Sequence, residues 1–335
     1  MQTMTQLFFP DIDRVTVAEQ PSVGTEMAAN EVRVTTRYLG ICGSDLHVLK
    51  GHHPVGKPPI VPGHEIAATV SEVGANVTRV KPGDNVVIDP IMPCLSCPAC
   101  EAGRFNLCYP PKVAGFRIPG FARSTFVVPE RNVHVAPSSL PASVLAFAEP
   151  VACAHHCITR LPEQQRDNVL VIGAGTIGLS IVQALRIVGV KEITVIEPDA
   201  RKREMAQHFG ARRTLAPGEL AEDESFSGII DVVAAPATIM DACLRVAPGG
   251  TVVCMGVPRG NCEIPLAHMQ RFERSLVSSG MYVPEDFEAA IQWLAQGLFD
   301  TSALITDVFP VSQAGDAFLR AQQPDSIKVL IEFSK

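Results

Sequence analysis

Asn168-Val169-Leu170-Val171-Ile172-Gly173-Ala174-Gly175-Thr176-Ile177-Gly178 is a short apolar run that ends in a glycine fingerprint. The run from Val169 to Ile172 has the continuous hydrophobicity of a strand buried on both faces. Beyond it, Ile177, Ile181, Leu185 and Val188 recur along one face of a helical pattern. Strand, tight turn and helix in that order form a cradle for a pyrophosphate, because the helix N-terminus offers unpaired N–H groups. Gly173 permits the tight turn, Gly175 lets the backbone approach the phosphates, and Gly178 allows close packing of helix on strand. Glu197 ends the next predicted strand, about 20 residues on. Its carboxylate is suited to accept hydrogen bonds from a ribose diol, and its charge repels a 2′-phosphate, which favours NAD over NADP. Arg201-Lys202-Arg203 argue the other way, since they are suited to hold that phosphate. A glycine turn that binds no nucleotide is the alternative; the strand before it and the helix after it argue against that.

The same alternation continues outward. Residues 192–196 read as a strand and 200–209 as a helix stopped by Gly210. Two more strands follow at 228–234 and 250–255. The region from residue 151 is therefore predicted to be α/β, a doubly wound parallel sheet. Residues 1–150 read differently. Short apolar or alternating runs at 31–37, 65–73, 85–89 and 125–128 are punctuated by turns such as Lys81-Pro82-Gly83-Asp84, which predicts a compact, partly open β-barrel. Beyond about residue 286 come one more helix, at 288–296, and a tail that ends in a strand at 326–333.

The 335 residues suffice for two ordinary domains. A hydrophobic fraction of 47% against 19% charged residues predicts a well-buried globular protein. The net charge of −7 and the lack of a long basic run disfavour nucleic acid and anionic membranes as partners. Residues 1–10 lack the basic-then-apolar pattern of a secretory signal, and no apolar run is long enough to span a bilayer, so a cytosolic location is expected.

Four of the ten cysteines form Cys94-x2-Cys97-x2-Cys100-x7-Cys108. Four thiolates in so short a stretch, with Pro93, Pro98 and Gly103 to turn the chain, satisfy a tetrahedral zinc ion completely, so the expected site is structural. A disulfide pair suits an oxidising compartment, and an iron–sulfur cluster needs other spacings or distant partners. Cys153, Cys157, Cys243, Cys254 and Cys262 sit among apolar neighbours and read as buried reduced thiols.

Cys42-Gly43-Ser44-Asp45-Leu46-His47, a loop rich in Gly, Pro and His, and Gly63-His64-Glu65 hold a thiolate, imidazoles and a carboxylate: the groups a catalytic zinc and a proton relay require. Cysteine and histidine this far apart are by themselves a weak metal signal. Glu65 reads equally as ligand, outer partner or solvated charge, and Glu149-Pro150 is as ambiguous. His52 and His53 read as exposed loop residues, and His155 and His156 as core histidines.

Taken together, these segments resemble the zinc-dependent medium-chain alcohol dehydrogenases, most closely the polyol (sorbitol-type) and threonine dehydrogenase branch. The resemblance rests on residues 40–47, Gly63-His64-Glu65, the four-cysteine lobe, Glu149-Pro150-Val151-Ala152 and residues 173–178, in that order along the chain. It implies a GroES-like β-barrel catalytic domain over residues 1–150, completed by 287–335, and a Rossmann domain over 151–286. It implies two zinc ions per chain. The catalytic ion would lie on Cys42, His64 and Glu149, with Glu65 as an alternating ligand, and the structural ion on Cys94, Cys97, Cys100 and Cys108. Ser44 and His47 match the proton relay. Ile177, Glu197 and Lys202 match positions around the adenosine half of NAD. The implied activity is NAD-dependent oxidation of a secondary alcohol, with a sugar alcohol or sugar acid first and threonine or a vicinal diol second. A protein that binds NAD without turnover is the non-enzymatic alternative. The family also implies a homo-oligomer, dimer or tetramer. The chain departs from the pattern at Ala68, where Gly is usual, at Arg123, where an acid is common, and at Ser278-Ser279-Gly280-Met281, which lacks an Arg.

Overall fold

A computed structural model of the chain describes residues 3–21, 26–258 and 260–333. It divides into two compact units. The first is Met1–Glu149 with Val283–Gly297 and Thr301–Lys335; the second is Pro150–Tyr282 with Leu298–Asp300.

The first unit is built on a mostly antiparallel sheet. Its strands run in the spatial order Ile305–Pro310, Lys328–Glu332, Glu31–Gly40, Glu65–Val73, Asn85–Ile88 and Val133–Ala136, and Thr125–Pro129 also pairs with Glu31–Gly40. The tail strand Lys328–Glu332 is thus interior to the sheet, antiparallel to Glu31–Gly40 and parallel to Ile305–Pro310. Alternation along Glu31–Gly40 places Val32 and Val34 in a core shared with Ile66, Val86, Val133, Val329 and Phe318. Ala68 lies inside Glu65–Val73, opposite Thr36, with an ordinary backbone angle, so a methyl group is accommodated there.

Among the elements with no clear signal in the sequence are a hairpin and two helices. Thr3–Asp11 and Arg14–Pro21 form an antiparallel hairpin, and its turn has neither Gly nor Pro: Asp13 itself adopts φ 54°. Gly43–Leu49 is a short helix. Ala148–Thr159 is a helix carrying Glu149 in its first turn.

The second unit is a six-stranded parallel sheet in the order Arg213–Leu215, Glu192–Ile196, Asn168–Ile172, Phe226–Asp231, Val246–Cys254, Ser275–Ser278. Chain order therefore reverses beside Asn168–Ile172, the strand that feeds the glycine fingerprint, and ligands of such sheets bind at that reversal. The neighbouring strands Phe226–Asp231 and Val246–Cys254 begin earlier than their apolar runs suggested. Leu170, Ile229, Val252 and Cys243 belong to the core of this unit. Cys153, Cys157 and Cys243 are buried thiols as expected, but Cys254 and Cys262 are half-exposed. His155 and His156 are half-buried rather than core residues. No described helix is long and apolar enough to cross a membrane.

Candidate active site

The antiparallel register sets Gly40 opposite Glu65. Cys42 lies just beyond one strand and His64 just before its partner, so pairing alone carries the two to the same end of the sheet. The Cys42 thiol, a His64 ring nitrogen and a Glu65 carboxylate oxygen all lie within 4.8 Å of one another. Gly40 leaves the space this needs, since a Cβ there would fall on Glu65 Oε2.

Two further buried charges hold the group in place. Lys328 Nζ donates to both Glu65 oxygens, at 2.8 and 2.7 Å, and to the Ile41 carbonyl at 3.1 Å. Burial opposes its charge, but Glu65 and then Cys42 hold the ammonium above its ordinary pKa. Asp45 Oδ2 accepts the Cys42 N–H at 3.0 Å, and its Oδ1 lies 3.4 Å from His64 Nδ1. Burial opposes charge on this pair also, yet their mutual attraction keeps His64 well above the usual imidazole range and Asp45 below the usual carboxylate range. With Nδ1 facing a carboxylate, Nε2 is the nitrogen left for a metal, the arrangement that fixes a ligand histidine's tautomer. Sulfur, nitrogen and oxygen donors gathered in a buried place, with a carboxylate behind the imidazole, fit a zinc ion.

Glu149 is buried but stands outside the mutually close group of Cys42, His64 and Glu65. Its charge reaches Lys328 and adds to the burial that pushes the Asp89 carboxyl up to about 7. Ser44 and His47 lie three residues apart on the helix Gly43–Leu49, Ser44 half-buried and His47 exposed. They therefore step from the site toward solvent on one helix face.

In the cysteine lobe, the sulfurs of Cys94, Cys97, Cys100 and Cys108 also lie within 4.8 Å of one another. Cys94 Sγ and Cys100 Sγ are 3.9 Å apart, too far for a disulfide. Tetrahedral zinc–thiolate bonds of about 2.3 Å demand nearly that separation. The Ser96 N–H and hydroxyl and the neighbouring thiols draw Cys94 down to about 6, while burial pushes Cys100 up to about 12.

In the second unit, Gly173 has φ 98°, a conformation open to glycine. A Cβ on Gly178 would collide with the Gly173 carbonyl, while nothing lies within 4 Å of one on Gly175. The backbone is thus open at the turn, as a pyrophosphate site would require, and the helix Thr176–Ile187 starts there. Glu197 Oε2 accepts the Ala174 N–H at 2.8 Å and Oε1 the Asp199 N–H at 3.0 Å. This carboxylate therefore also ties the fingerprint turn to the end of the next strand, with lone pairs remaining for a diol. Arg201 is paired with Asp199 at 3.1 Å, and Arg203 donates to the carbonyls of Glu197 and Pro198 at 2.7 and 2.8 Å. Ile177 and Lys202 lie in the first turns of the two helices that follow these strands.

Asp45 and Lys328 carry much of this site and were not singled out from the sequence. Asp45 had a signal, three residues after Cys42 at the spacing of a helix-capping partner. Lys328 had one too, a lone charge beside Val329, Leu330 and Ile331.

The alcohol dehydrogenase GroES-like domain matches residues 28–138, and the zinc-binding dehydrogenase domain matches residues 176–296. The chain belongs to the zinc-binding alcohol dehydrogenase family. As such it is an oxidoreductase acting on CH–OH groups with zinc and a nicotinamide dinucleotide. The starvation-sensing protein RspB of Escherichia coli K12 is 31% identical over 318 residues, 92% of this chain and 94% of that protein. A probable D-xylulose reductase A of Aspergillus terreus is 29% identical over 90% of each chain. Among solved structures, the rspB alcohol dehydrogenase of E. coli CFT073 complexed with NADH superposes with a TM-score of 0.92 at 28% identity, covering 99% of this chain and 100% of that one. L-idonate 5-dehydrogenase of E. coli K-12 gives 0.91 at 25% identity, covering 99% of both.

Proposed function

We propose that this chain oxidises a secondary alcohol group of a sugar alcohol or sugar acid to the ketone, with NAD as acceptor. The observation that carries the reading is the meeting of Cys42, His64 and Glu65 around one buried point. The relatives that act on xylulose and idonate supply the substrate class, and an aromatic content of 6% leaves few residues for a wholly apolar pocket.

Zinc supplies a Lewis acid that lowers the pKa of the substrate hydroxyl, and NAD supplies the hydride acceptor. Cys42 and His64 hold the metal, and Glu65 and Glu149 are the carboxylates available to complete its shell. Asp45 keeps His64 in the coordinating tautomer. The Ser44 hydroxyl takes the substrate proton, and His47 hands it to solvent. The residue 173–178 turn and the helix after it hold the pyrophosphate. Glu197 accepts from the adenosine ribose, with Ile177 and Lys202 beside it. Arg201 and Arg203 are engaged by Asp199 and by carbonyls, which supports NAD over NADP. Cys94, Cys97, Cys100 and Cys108 hold a structural zinc. The residue assignments divide the labour: catalysis to residues 1–150 and 287–335, cofactor to 151–286. A cytosolic homo-oligomer, dimer or tetramer, completes the proposal.

Metal analysis and steady-state kinetics test it together. The wild type should hold two zinc ions per chain, and Cys42→Ala should hold one and lose at least about 1,000-fold in kcat/KM. Full turnover and full metal content in Cys42→Ala would sink the assignment. On a panel of polyols, aldonates, threonine and butanediol with NAD, a strong preference for simple primary alcohols would overturn the substrate class.

A further inference from the structure

The loop between the relay helix and the strand Glu65–Val73 is built more tightly than its composition suggests. Gly51, with φ 69°, ends the helix Gly43–Leu49, and the N–H groups of His52 and His53 then both donate to the His47 carbonyl, at 2.8 and 3.0 Å. The loop closes on the His53 side chain. His53 Nδ1 accepts the N–H of Gly56 at 2.8 Å and of Val55 at 3.2 Å. Gly56 itself is pressed down, since a Cβ there would come within 2.9 Å of the Val48 methyl and 3.1 Å of the Phe116 backbone. His52 is exposed as its loop position implied, but His53 is half-buried. Its ring stacks on Phe116, with centroids 4.6 Å apart and an interplanar angle of 17°. The same Phe116 ring lies 5.0 Å from that of His64.

These contacts determine the state of the imidazole. A nitrogen that accepts two N–H groups carries no proton, so His53 is the neutral tautomer with its hydrogen on Nε2. Burial, with His47 next, also lowers its pKa, in keeping with the neutral form. Nε2 has no partner among the described residues, so its N–H is available to a ligand. The Phe116 stack and the loop closure hold the ring still, so the donor is preorganised. One phenyl ring shared with the metal-ligand imidazole sets it a short polyol chain away from the metal.

We propose that His53 is a specificity-determining residue: its Nε2–H donates to a hydroxyl or carboxylate oxygen of the substrate, a few carbons along from the carbon being oxidised, while Phe116 forms the wall between that contact and His64. This rests on the polyhydroxy-substrate reading above. It explains how an enzyme with so few aromatic residues tells a polyhydroxy chain from a simple alcohol: the latter offers no second oxygen and leaves the donor unpaired.

His53→Asn tests it in the full-length zinc-loaded protein, because the Asn amide oxygen can replace Nδ1 in closing the loop but no donor reaches the Nε2 position. The kinetics are measured for wild type and variant with the best of a panel of five- and six-carbon polyols and aldonates, and with 2-butanol. The expected result is a KM about tenfold higher for the polyhydroxy substrate, with KM for 2-butanol, KM for NAD and zinc content unchanged. His53→Gln, whose amide N–H reaches the Nε2 position, should recover part of the loss; His53→Asp, whose carboxylate accepts the same loop N–H groups but donates nothing, serves in place of Asn should that variant not fold. Equal changes with both substrates would show a loop prop only, and no change with either would show no contact; both overturn the proposal. A wild type that oxidises 2-butanol but no polyol or aldonate overturns the substrate reading instead, before any variant is made.

Discussion

Lys328 brings the far end of the chain to the residues proposed to hold the catalytic metal. It lies in the C-terminal strand, is 2% exposed, and holds both oxygens of Glu65. A buried ion pair contributes little net stability but is costly to break from one side, because the orphaned charge stays buried. Lys328 therefore orients Glu65, while Asp45 orients His64. Another buried group has no such partner. His134 is stacked on Phe287 with centroids 4.7 Å apart, and its buried Nε2 has no hydrogen-bond partner among the described residues. Burial, with Arg79 next, lowers its pKa to about 4. The unfolded chain therefore binds this proton first as pH falls. The stability due to a neutral His134 is complete above about pH 6.5 and lost as pH drops toward 4, by about 3 kcal/mol at most. Urea unfolding between pH 7 and 4 should show His134→Phe losing less stability than the wild type by about that amount. Parallel curves for the two proteins would refute it.

At the scale of elements, two glycines of one turn do different work. Gly178 is packed against the Gly173 carbonyl, and Gly175 faces open space with φ −74°. Gly178→Ala should lower the thermal midpoint, because helix Thr176–Ile187 must move off strand Asn168–Ile172. Gly175→Ala should leave the midpoint within a degree or two and weaken NADH binding about tenfold or more, because the methyl group would stand where the pyrophosphate is proposed to meet the backbone. Calorimetry with fluorescence titration of NADH separates them, and equal effects on both readouts in both variants would contradict the division. This element was legible in the sequence because every signal in it is local: an apolar run, three spaced glycines and a helical stripe. The hairpin Thr3–Asp11/Arg14–Pro21 was not, since its turn at Ile12 and Asp13 carries neither Gly nor Pro and its outer strand has no fully buried residue to mark an apolar face.

At the scale of the whole molecule, the chain returns to its first unit to finish it. Lys328–Glu332 fills a place inside the sheet between Ile305–Pro310 and Glu31–Gly40, and Leu330, Ile331 and Phe318 are core residues there. A chain ending at Asp325 should leave both neighbouring strands with an open edge and Glu65 with no counter-charge, so we expect it to be recovered in aggregates rather than as folded protein. A monodisperse, zinc-replete truncated chain in size-exclusion chromatography would show the strand to be dispensable.

Sequence by itself determined the class of each part of this protein. The parallel sheet, the cysteine lobe and the glycine fingerprint are written in short-range patterns, where each residue's neighbours along the chain are also its neighbours in space. Cys42, Ser44, His47, His64 and Glu65 were candidates by their donor chemistry, but their spacing alone was a weak signal, and their roles came from the family resemblance. Only the tertiary structure decided which groups meet. It joined Glu65 to Lys328, a partner 263 positions away, turned Asp45 back onto His64, and set Glu149 outside the closest donor group. It made His53 a half-buried, oriented donor rather than a loop residue in water. Such pairings depend on strand register and on which charges are desolvated together, and neither is encoded at any fixed spacing along the chain.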